Sequence, residues 1–166
     1  MTSRIAFEPY DSRYLESVRG TYNYFVERTT VSFDLYPYTP EQMEQLIEPL
    51  SELYRSYVAL YDGQYAGYFL LTQHKKRPAF NVTAEVTVYL EPAFTGKGIG
   101  KKAMLFLEEV AKQLNFHSLI ATICTENEGS IALFSKLGYK QVSHYEEIAY
   151  KFDRWLDLAC YQKKLK

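Results

Sequence analysis

Cysteine is scarce: Cys124 and Cys160 are two thiols in 166 residues, too few for a disulfide framework or a thiolate metal cage. Neither pairs in the sequence with a His and Asp set that would make it a nucleophile, and His74, His117 and His144 have no metal-ligand spacing. The sequence therefore predicts neither a metal nor thiol catalysis. Net charge is almost absent as well. Lys and Arg number 19 against 20 Asp and Glu, a balance of −1, which gives no long-range pull toward a phosphate backbone. The short basic runs Lys75-Lys76-Arg77 and Lys101-Lys102 form no stripe, so no nucleic-acid partner is expected. Nowhere do about 18 apolar residues run together, and Met1 to Pro9 lacks the apolar centre of a secretory signal. No membrane partner is expected, and the expected location is the cytoplasm.

What the chain has in quantity is aromatic rings: 16 Tyr, 10 Phe and one Trp, densest between Phe7 and Phe69. A chain of this length buries about 70% of the surface its unfolded form exposes and needs no staple. With no repeat, linker or low-complexity tract, one domain over residues 1–166 is expected.

Periodicity divides the chain. Ile5 to Pro9 alternates as a short strand, and Leu15, Val18, Tyr22, Phe25 and Val26 recur at helical spacing through Arg28, with Gly20 able to split that helix. Thr39-Pro40-Glu41 opens a second helix with a cap, a proline and an acidic first turn, expected to end between Pro49 and Tyr54. Tyr57–Tyr61 and Tyr65–Leu71 flank Asp62-Gly63, a hairpin turn. Val82 to Leu90 places Val82, Ala84, Val86, Val88 and Leu90 on one face and Thr83, Glu85, Thr87 and Tyr89 on a polar one. A helix lined by Ile99, Ala103, Phe106, Leu107, Val110 and Leu114 follows. Then come a buried strand at Leu119–Ile123, a short helix from Asn127 to Leu137 closed by Gly138, and strands at Tyr139–Tyr145 and Leu156–Gln162. The order predicts an α/β or α+β sheet with helices on both faces.

Between the alternating strand and the amphipathic helix lies Thr95-Gly96-Lys97-Gly98-Ile99-Gly100. Free N–H groups at a helix N-terminus, three glycines that admit a close ligand, and Lys97, Lys101 and Lys102 nearby make an anion site for a diphosphate. A P-loop fails, because Lys101 stands where its second glycine belongs. Gly98-Ile99-Gly100-Lys101-Lys102-Ala103 fits the dinucleotide pattern loosely, although Glu91 to Lys97 separate strand from glycine and several strands come earlier. The third option is the diphosphate loop for an acyl-CoA.

Val88-Tyr89-Leu90-Glu91-Pro92, Gly96-Lys97-Gly98-Ile99-Gly100 and Asn127-Glu128-Gly129-Ser130-Ile131-Ala132-Leu133-Phe134-Ser135-Lys136-Leu137-Gly138-Tyr139 resemble the conserved blocks of the GCN5-related N-acetyltransferases. Thr30-Val31-Ser32-Phe33, Thr83 to Tyr89 and Tyr150 to Asp157 are most similar to the phosphinothricin and methionine sulfoximine acetyltransferase group. The resemblance implies a mixed, mostly antiparallel sheet of about six to seven strands with a splayed central pair. It implies acetyl-CoA as cosubstrate and transfer to the amine of a small amino acid or an analogue of one. A polyamine, a peptide N-terminus or a protein lysine are alternative acceptors, and homodimers are usual in the group.

Residue by residue, the resemblance gives Val88, Tyr89 and Leu90 as main-chain partners of the pantetheine arm, one N–H polarising the thioester oxygen. Gly96, Lys97, Gly98, Ile99, Gly100 and Lys101 match the diphosphate loop. Asn127 matches a cofactor contact and is also a good helix cap. Glu85 matches the catalytic glutamate; with an ordinary pKa of ~4.3 it would act through water or in a partly dry cleft. Phe33 and Arg77 match acceptor contacts, Arg77 being able to hold a carboxylate in two bonds. Two departures stand out. Thr95 replaces the usual Gln or Arg. Phe134 replaces a tyrosine or histidine proton donor and cannot donate, which leaves Tyr139, solvent or a non-catalytic acyl-CoA-binding module to account for it. Phe152 and Trp155 are expected to brace the core or a dimer contact.

Overall fold

The computed structural model describes residues 4–166. In chain order it forms β1 (Ile5–Pro9), α1 (Leu15–Arg28), α2 (Pro40–Ile47), β2 (Arg55–Tyr61), β3 (Gln64–Gln73), β4 (Thr83–Leu90), α3 (Ile99–Gln113), β5 (Ser118–Cys124), α4 (Glu128–Lys136), β6 (Lys140–Lys151) and β7 (Arg154–Lys164). The strands make one seven-stranded sheet in the order β1-β2-β3-β4-β5-β7-β6. Neighbours are antiparallel except β4 and β5, which run parallel because α3 carries the chain back between them.

Local chemistry explains most boundaries. Asp62 and Gly63 both adopt positive φ, 51° and 80°, the turn whose twist matches a two-residue hairpin. α2 starts on a reciprocal cap: Gln42 N–H donates to the Thr39 hydroxyl at 3.2 Å, and Thr39 N–H donates to the Gln42 side chain at 2.9 Å. α1 is not split at Gly20. That residue is exposed on an otherwise continuous helix whose Val18, Tyr22 and Val26 are buried. α2 ends at Ile47, before the Pro49–Tyr54 stretch where its end was expected. Glu48 precedes Pro49, the proline ring disfavours helical angles there, and Glu48 is extended at φ −67°, ψ 128°.

β6 and β7 are longer than alternation suggests and join through Phe152 and Asp153, both at positive φ. The register slips between Tyr145 and Ala149, so the period of two breaks inside a strand that nonetheless continues. Phe152 and Trp155 lie on this hairpin, 47% and 60% exposed; neither braces the core.

Helices cover both faces. On one, α3 and α4 pack Ile99, Met104, Leu107 and Phe134 against the sheet. On the other, α1 and α2 pack Val18, Tyr22, Val26, Met43 and Ile47 against Val58, Tyr68 and Leu70. Tyr89, expected on a polar strand face, points to this second layer, with Tyr22, Phe25 and Tyr68 rings 5.5, 5.2 and 5.5 Å away. The face reads as polar at Glu85 and Thr87, and α1 covers it farther along.

Candidate active site

β4 and β5 pair at Thr83–Ser118, Ala84–Leu119 and Glu85–Ile120, and then part. From Val86 on they enclose a cleft whose sides are Val86–Tyr89 and Ala121–Ile123, with Val31, Asn127, Ser130 and Phe134 at its end. Val88, Tyr89 and Leu90 remain paired to Phe69, Tyr68 and Gly67 of β3. Their main-chain groups on the β5 side have no strand partner, so an extended ligand can take that place.

β4 leads into the glycine turn. Glu91 N–H donates to Ala66 O at 2.8 Å, Thr95 Oγ1 donates to Pro92 O at 2.9 Å, and Gly96 and Gly98 take φ of 76° and 81°. α3 begins after Gly98 with no side-chain cap and no acid in its first turn, an N-terminus left open to an anion. A Cβ at Gly100 would make only ordinary contacts, 3.4 Å to Leu133 Cδ2 and 3.8 Å to Leu90 Cδ1. Ile99 is buried, so only its main chain can face a ligand. Lys97 is turned toward the β2–β3 hairpin, its ammonium 5.2 Å from the Tyr61 ring centre. Lys101 borders a groove of about 340 Å³ against α4, beside Gly129 and Lys136. Asn127 caps α4: its Oδ1 accepts from Ser130 N–H at 3.1 Å while its Nδ2 donates to Ser130 Oγ at 2.9 Å.

Phe134 is 3% exposed and closes the cleft. Its ring meets Tyr139 at 4.9 Å. The Tyr139 hydroxyl, however, is buried in the α3 layer without a hydrogen bond, and Tyr139 does not line the cleft. Burial and then the Glu108 carboxylate hold its phenol above the ordinary range. Tyr139 is therefore not brought to the place of the missing proton donor.

On the α1/α2 side lies a second cavity, of about 390 Å³, bounded by Tyr22, Leu46, Leu50, Tyr54, Tyr68 and Thr72 among others. Thr87 and Tyr89 border this cavity and the cleft alike, so the two spaces meet across β4. Glu48 is the one charged residue on its wall. The Tyr68 hydroxyl is wholly buried and has no partner among the described residues. Burial raises the phenols of Tyr22, Tyr68 and Tyr89 out of any physiological titration. Arg77 is exposed at the start of the Pro78–Phe80 turn, Phe33 is 37% exposed, and neither borders this cavity. The tyrosines that do border it were hidden in the sequence as core candidates.

The segment after α1 is fastened over the cleft. Tyr22 donates to Asp34, Ser32 Oγ donates to Tyr22 Oη at 3.1 Å, and Lys151 Nζ donates to Ser32 O at 2.7 Å. Thr30 donates to Glu126 at 2.8 Å, and Arg154 donates to both Glu126 oxygens at 2.9 and 2.7 Å.

Glu85 sits in the last β4–β5 pair before the strands part, opposite Thr72 of β3. Its carboxylate lies 2.9 Å from His74 Nδ1, and the side chains are 26% and 22% exposed. In the sequence His74 has no metal-ligand spacing and nothing links it to Glu85. Its contact with Glu85 depends on the β3–β4 register, which makes them diagonal neighbours on one face. Among the described residues no His, Cys, Asp and Glu cluster could hold a metal ion, and no helix is long and apolar enough to cross a membrane.

Residues 11–159 match the family model for the acetyltransferase (GNAT) domain. The chain is 30% identical to a phosphinothricin N-acetyltransferase of Streptomyces coelicolor, over 99% of this chain and 98% of that one. It is 34% identical to an L-methionine sulfoximine/L-methionine sulfone acetyltransferase of Salmonella typhimurium, over 63% of this chain and 61% of that one. A phosphinothricin acetyltransferase from Sinorhizobium meliloti, solved in complex with AcCoA, superposes with a TM-score of 0.92 at 27% identity, covering 98% of this chain and 89% of that one.

Proposed function

Because the chain belongs to the GNAT acetyltransferase family, we propose that it acetylates the α-amine of a small amino acid, or an amino-acid analogue, whose side chain is neutral, with acetyl-CoA as donor. The observation that carries this reading is the meeting of the β4–β5 cleft with the phenolic cavity at Thr87 and Tyr89. A donor bound on one side of β4 and an amine on the other can then touch without either crossing the sheet.

Acetyl-CoA would supply an acyl thioester, which an amine can attack. The residues fit it. Val88, Tyr89 and Leu90 offer main-chain groups along the pantetheine, and a β4 N–H can hold the carbonyl oxygen as negative charge grows there. The turn from Gly96 to Gly100 and the open end of α3 would hold the diphosphate. Lys101 lies near enough to add charge, and Lys97 could swing from the Tyr61 ring. Asn127 would line the pantetheine channel while it caps α4. The amine reaches the carbonyl only after losing a proton, and Glu85 at the vertex of the strands marks the place where that proton leaves it. The departing thiolate meets no protein acid at Phe134, so solvent protonates it.

The acceptor cavity has apolar, phenolic and neutral polar walls, one carboxylate, Glu48, and no cation. An anionic side chain would be desolvated there beside Glu48 without a partner, which disfavours it. Arg77 and Phe33 lie outside it, and as acceptor contacts they would act at its entrance or not at all. Tyr150 and Trp155 pair across the β6–β7 hairpin with their rings 5.0 Å apart, and both are exposed, which supports the homodimer implied by resemblance; light scattering on the purified chain tests it. For the activity, acetyl-CoA is incubated with methionine sulfone, ordinary amino acids, phosphinothricin, polyamines and peptides while free thiol is followed. Neutral amino acids and sulfones should release thiol fastest. Release only with polyamines or peptides would overturn the acceptor class.

A further inference from the structure

We propose that the group which takes the amine proton is His74, with Glu85 as the positioning residue that fixes its tautomer; this deepens, and rests on, the assignment of the β4 vertex as the reacting end of the site. A carboxylate accepts hydrogen bonds and has none to give when ionised, so the nitrogen 2.9 Å from Glu85 carries an N–H. Nδ1 is then the donor, and a neutral ring keeps its lone pair on Nε2. No described residue hydrogen-bonds Nε2. The ring is steadied by the edge of Phe80, 6.1 Å between centroids.

The place suits the task. Thr72 and Gln73, which precede His74 on β3, border the acceptor cavity, and Thr87, two residues after Glu85, borders both the cavity and the cleft. Neither His74 nor Glu85 lines the cavity or the cleft itself, so the pair stands beside the residues that do, at the rim where an amine would wait for the thioester. A lone carboxylate, ordinarily near ~4.3, is a weak base for an ammonium, whereas an imidazole, ordinarily near ~6.5, is matched to neutral pH. The groups that face the pair from neighbouring strands are Thr72 of β3 and Ile120 of β5, neither of which titrates. Tyr89 on the same face of β4 is held neutral by burial, and Lys75, Lys76 and Arg77 on the following loop are exposed.

The step balances. Nε2 takes one proton from the ammonium, directly or through one water, and becomes imidazolium against Glu85. The freed amine lone pair forms the C–N bond, the C–S bond breaks, and the electron pair leaves on sulfur. The second amine proton ends on that thiolate through solvent, and the imidazolium returns the first to bulk water. The sum is amide, free thiol and one released proton.

The test compares wild type with His74→Ala, His74→Gln and Glu85→Gln, each checked by thermal melting. His74→Ala should lower kcat by about 10²-fold and remove the limb of the rate profile that rises with pH. KM for acetyl-CoA should change by less than about two-fold, and added imidazole should restore about tenfold of the lost rate. His74→Gln keeps a donor for Glu85 but no base, and should be as slow as the alanine variant. Full activity in His74→Gln, or a well-folded His74→Ala that imidazole does not rescue and whose pH profile is unchanged, overturns the proposal. Independently of turnover, nitrogen-15 spectra of the wild type should show His74 as the Nδ1–H tautomer, and Glu85→Gln should lose that preference; an Nε2–H ring in the wild type overturns it. A wild type that releases no thiol with any amine while showing the Nδ1–H ring would instead overturn the acetylation reading and leave the paired geometry standing.

Discussion

The two faces of the sheet are built from different chemistry. Under α3, Ala103, Met104, Leu107 and Ala111 are buried against Ala66, Ala84 and Ala121 of the strands, together with phenyl and phenol rings such as Tyr57, Phe69, Phe116 and Tyr161. Under α1 and α2 the buried or half-buried set is largely phenolic: Tyr14, Tyr22, Tyr38, Tyr65, Tyr68 and Tyr89. A donor held by main-chain groups needs from its side chains only close packing, which small residues provide. An acceptor without a main-chain grip has to be recognised by side chains, and tyrosine offers an apolar wall with a hydroxyl at its end. Rings fill both layers, but in the α1/α2 cluster every one of them is a tyrosine.

Gly67 joins the faces, and changing it should have the largest effect. A Cβ there would lie 2.3 Å from Tyr89 O and 2.8 Å from Leu90 Cα, backbone atoms with nowhere to retreat. Gly67→Ala should push β4 from β3 and cost about 4 kcal/mol, read as a large drop in the melting midpoint or loss of soluble protein. A melt within a few degrees of wild type would mean that β3 and β4 can slide, and that the faces are less rigidly coupled than their register indicates. Leu107→Ala comes next. Leu107 is wholly buried in the layer under α3, and the cavity should cost about 3 kcal/mol. If the division between faces holds, KM for the amine stays unchanged; a changed acceptor preference would break it.

The same division explains what could be read from the sequence. The glycine turn was legible because main-chain binding needs residues of special φ, and Gly96 and Gly98 indeed have it. The bounds of α1 and the Asp62-Gly63 hairpin were legible because their signals are local. Glu85 stood out only by resemblance. Its contact with His74, and the cavity assembled from α1, the stretch around Leu46 to Tyr54, β3 and β4, depend on strand register and on packing between distant segments. Tyr89 misled because alternation tells which residues share a face and not what covers that face. The long β6 was missed where its register slips after Tyr145, since a bulge erases the period that identifies a strand.

Tyr68→Phe sharpens the contrast because stability and binding should move in opposite directions. The hydroxyl is buried with no partner, and an unsatisfied buried polar group costs about 1 to 3 kcal/mol. Its removal should stabilise the fold by about 1 kcal/mol in denaturant titrations. If that hydroxyl is kept for an acceptor side chain, KM for a hydrogen-bonding acceptor such as methionine sulfone should rise while KM for leucine does not. Destabilisation by the variant, with no change in either KM, would mean that the phenol is structural.

Glu126 ties the segment after α1 to the β6–β7 hairpin, and its effect should be the smallest. It receives Arg154 from the β6–β7 hairpin and Thr30 from the segment that follows α1. These hydrogen bonds, Arg154 first and Thr30 second, hold its pKa at about 2, below the ordinary carboxylate value. The unfolded chain therefore binds a proton at Glu126 at a higher pH than the folded chain does. Stability from this group is present above the unfolded pKa of about 4.3 and is lost as pH falls toward 2. Both side chains are more than a third exposed, so solvent screening keeps the contribution small. Melting midpoints taken from pH 5 down to pH 2 should fall slightly less steeply in Glu126→Gln than in the wild type, and the difference should shrink in high salt. Identical slopes would show that the segment over the cleft is held through Ser32, by Tyr22 of α1 and Lys151 of β6, and that the Glu126 contacts carry no energetic weight.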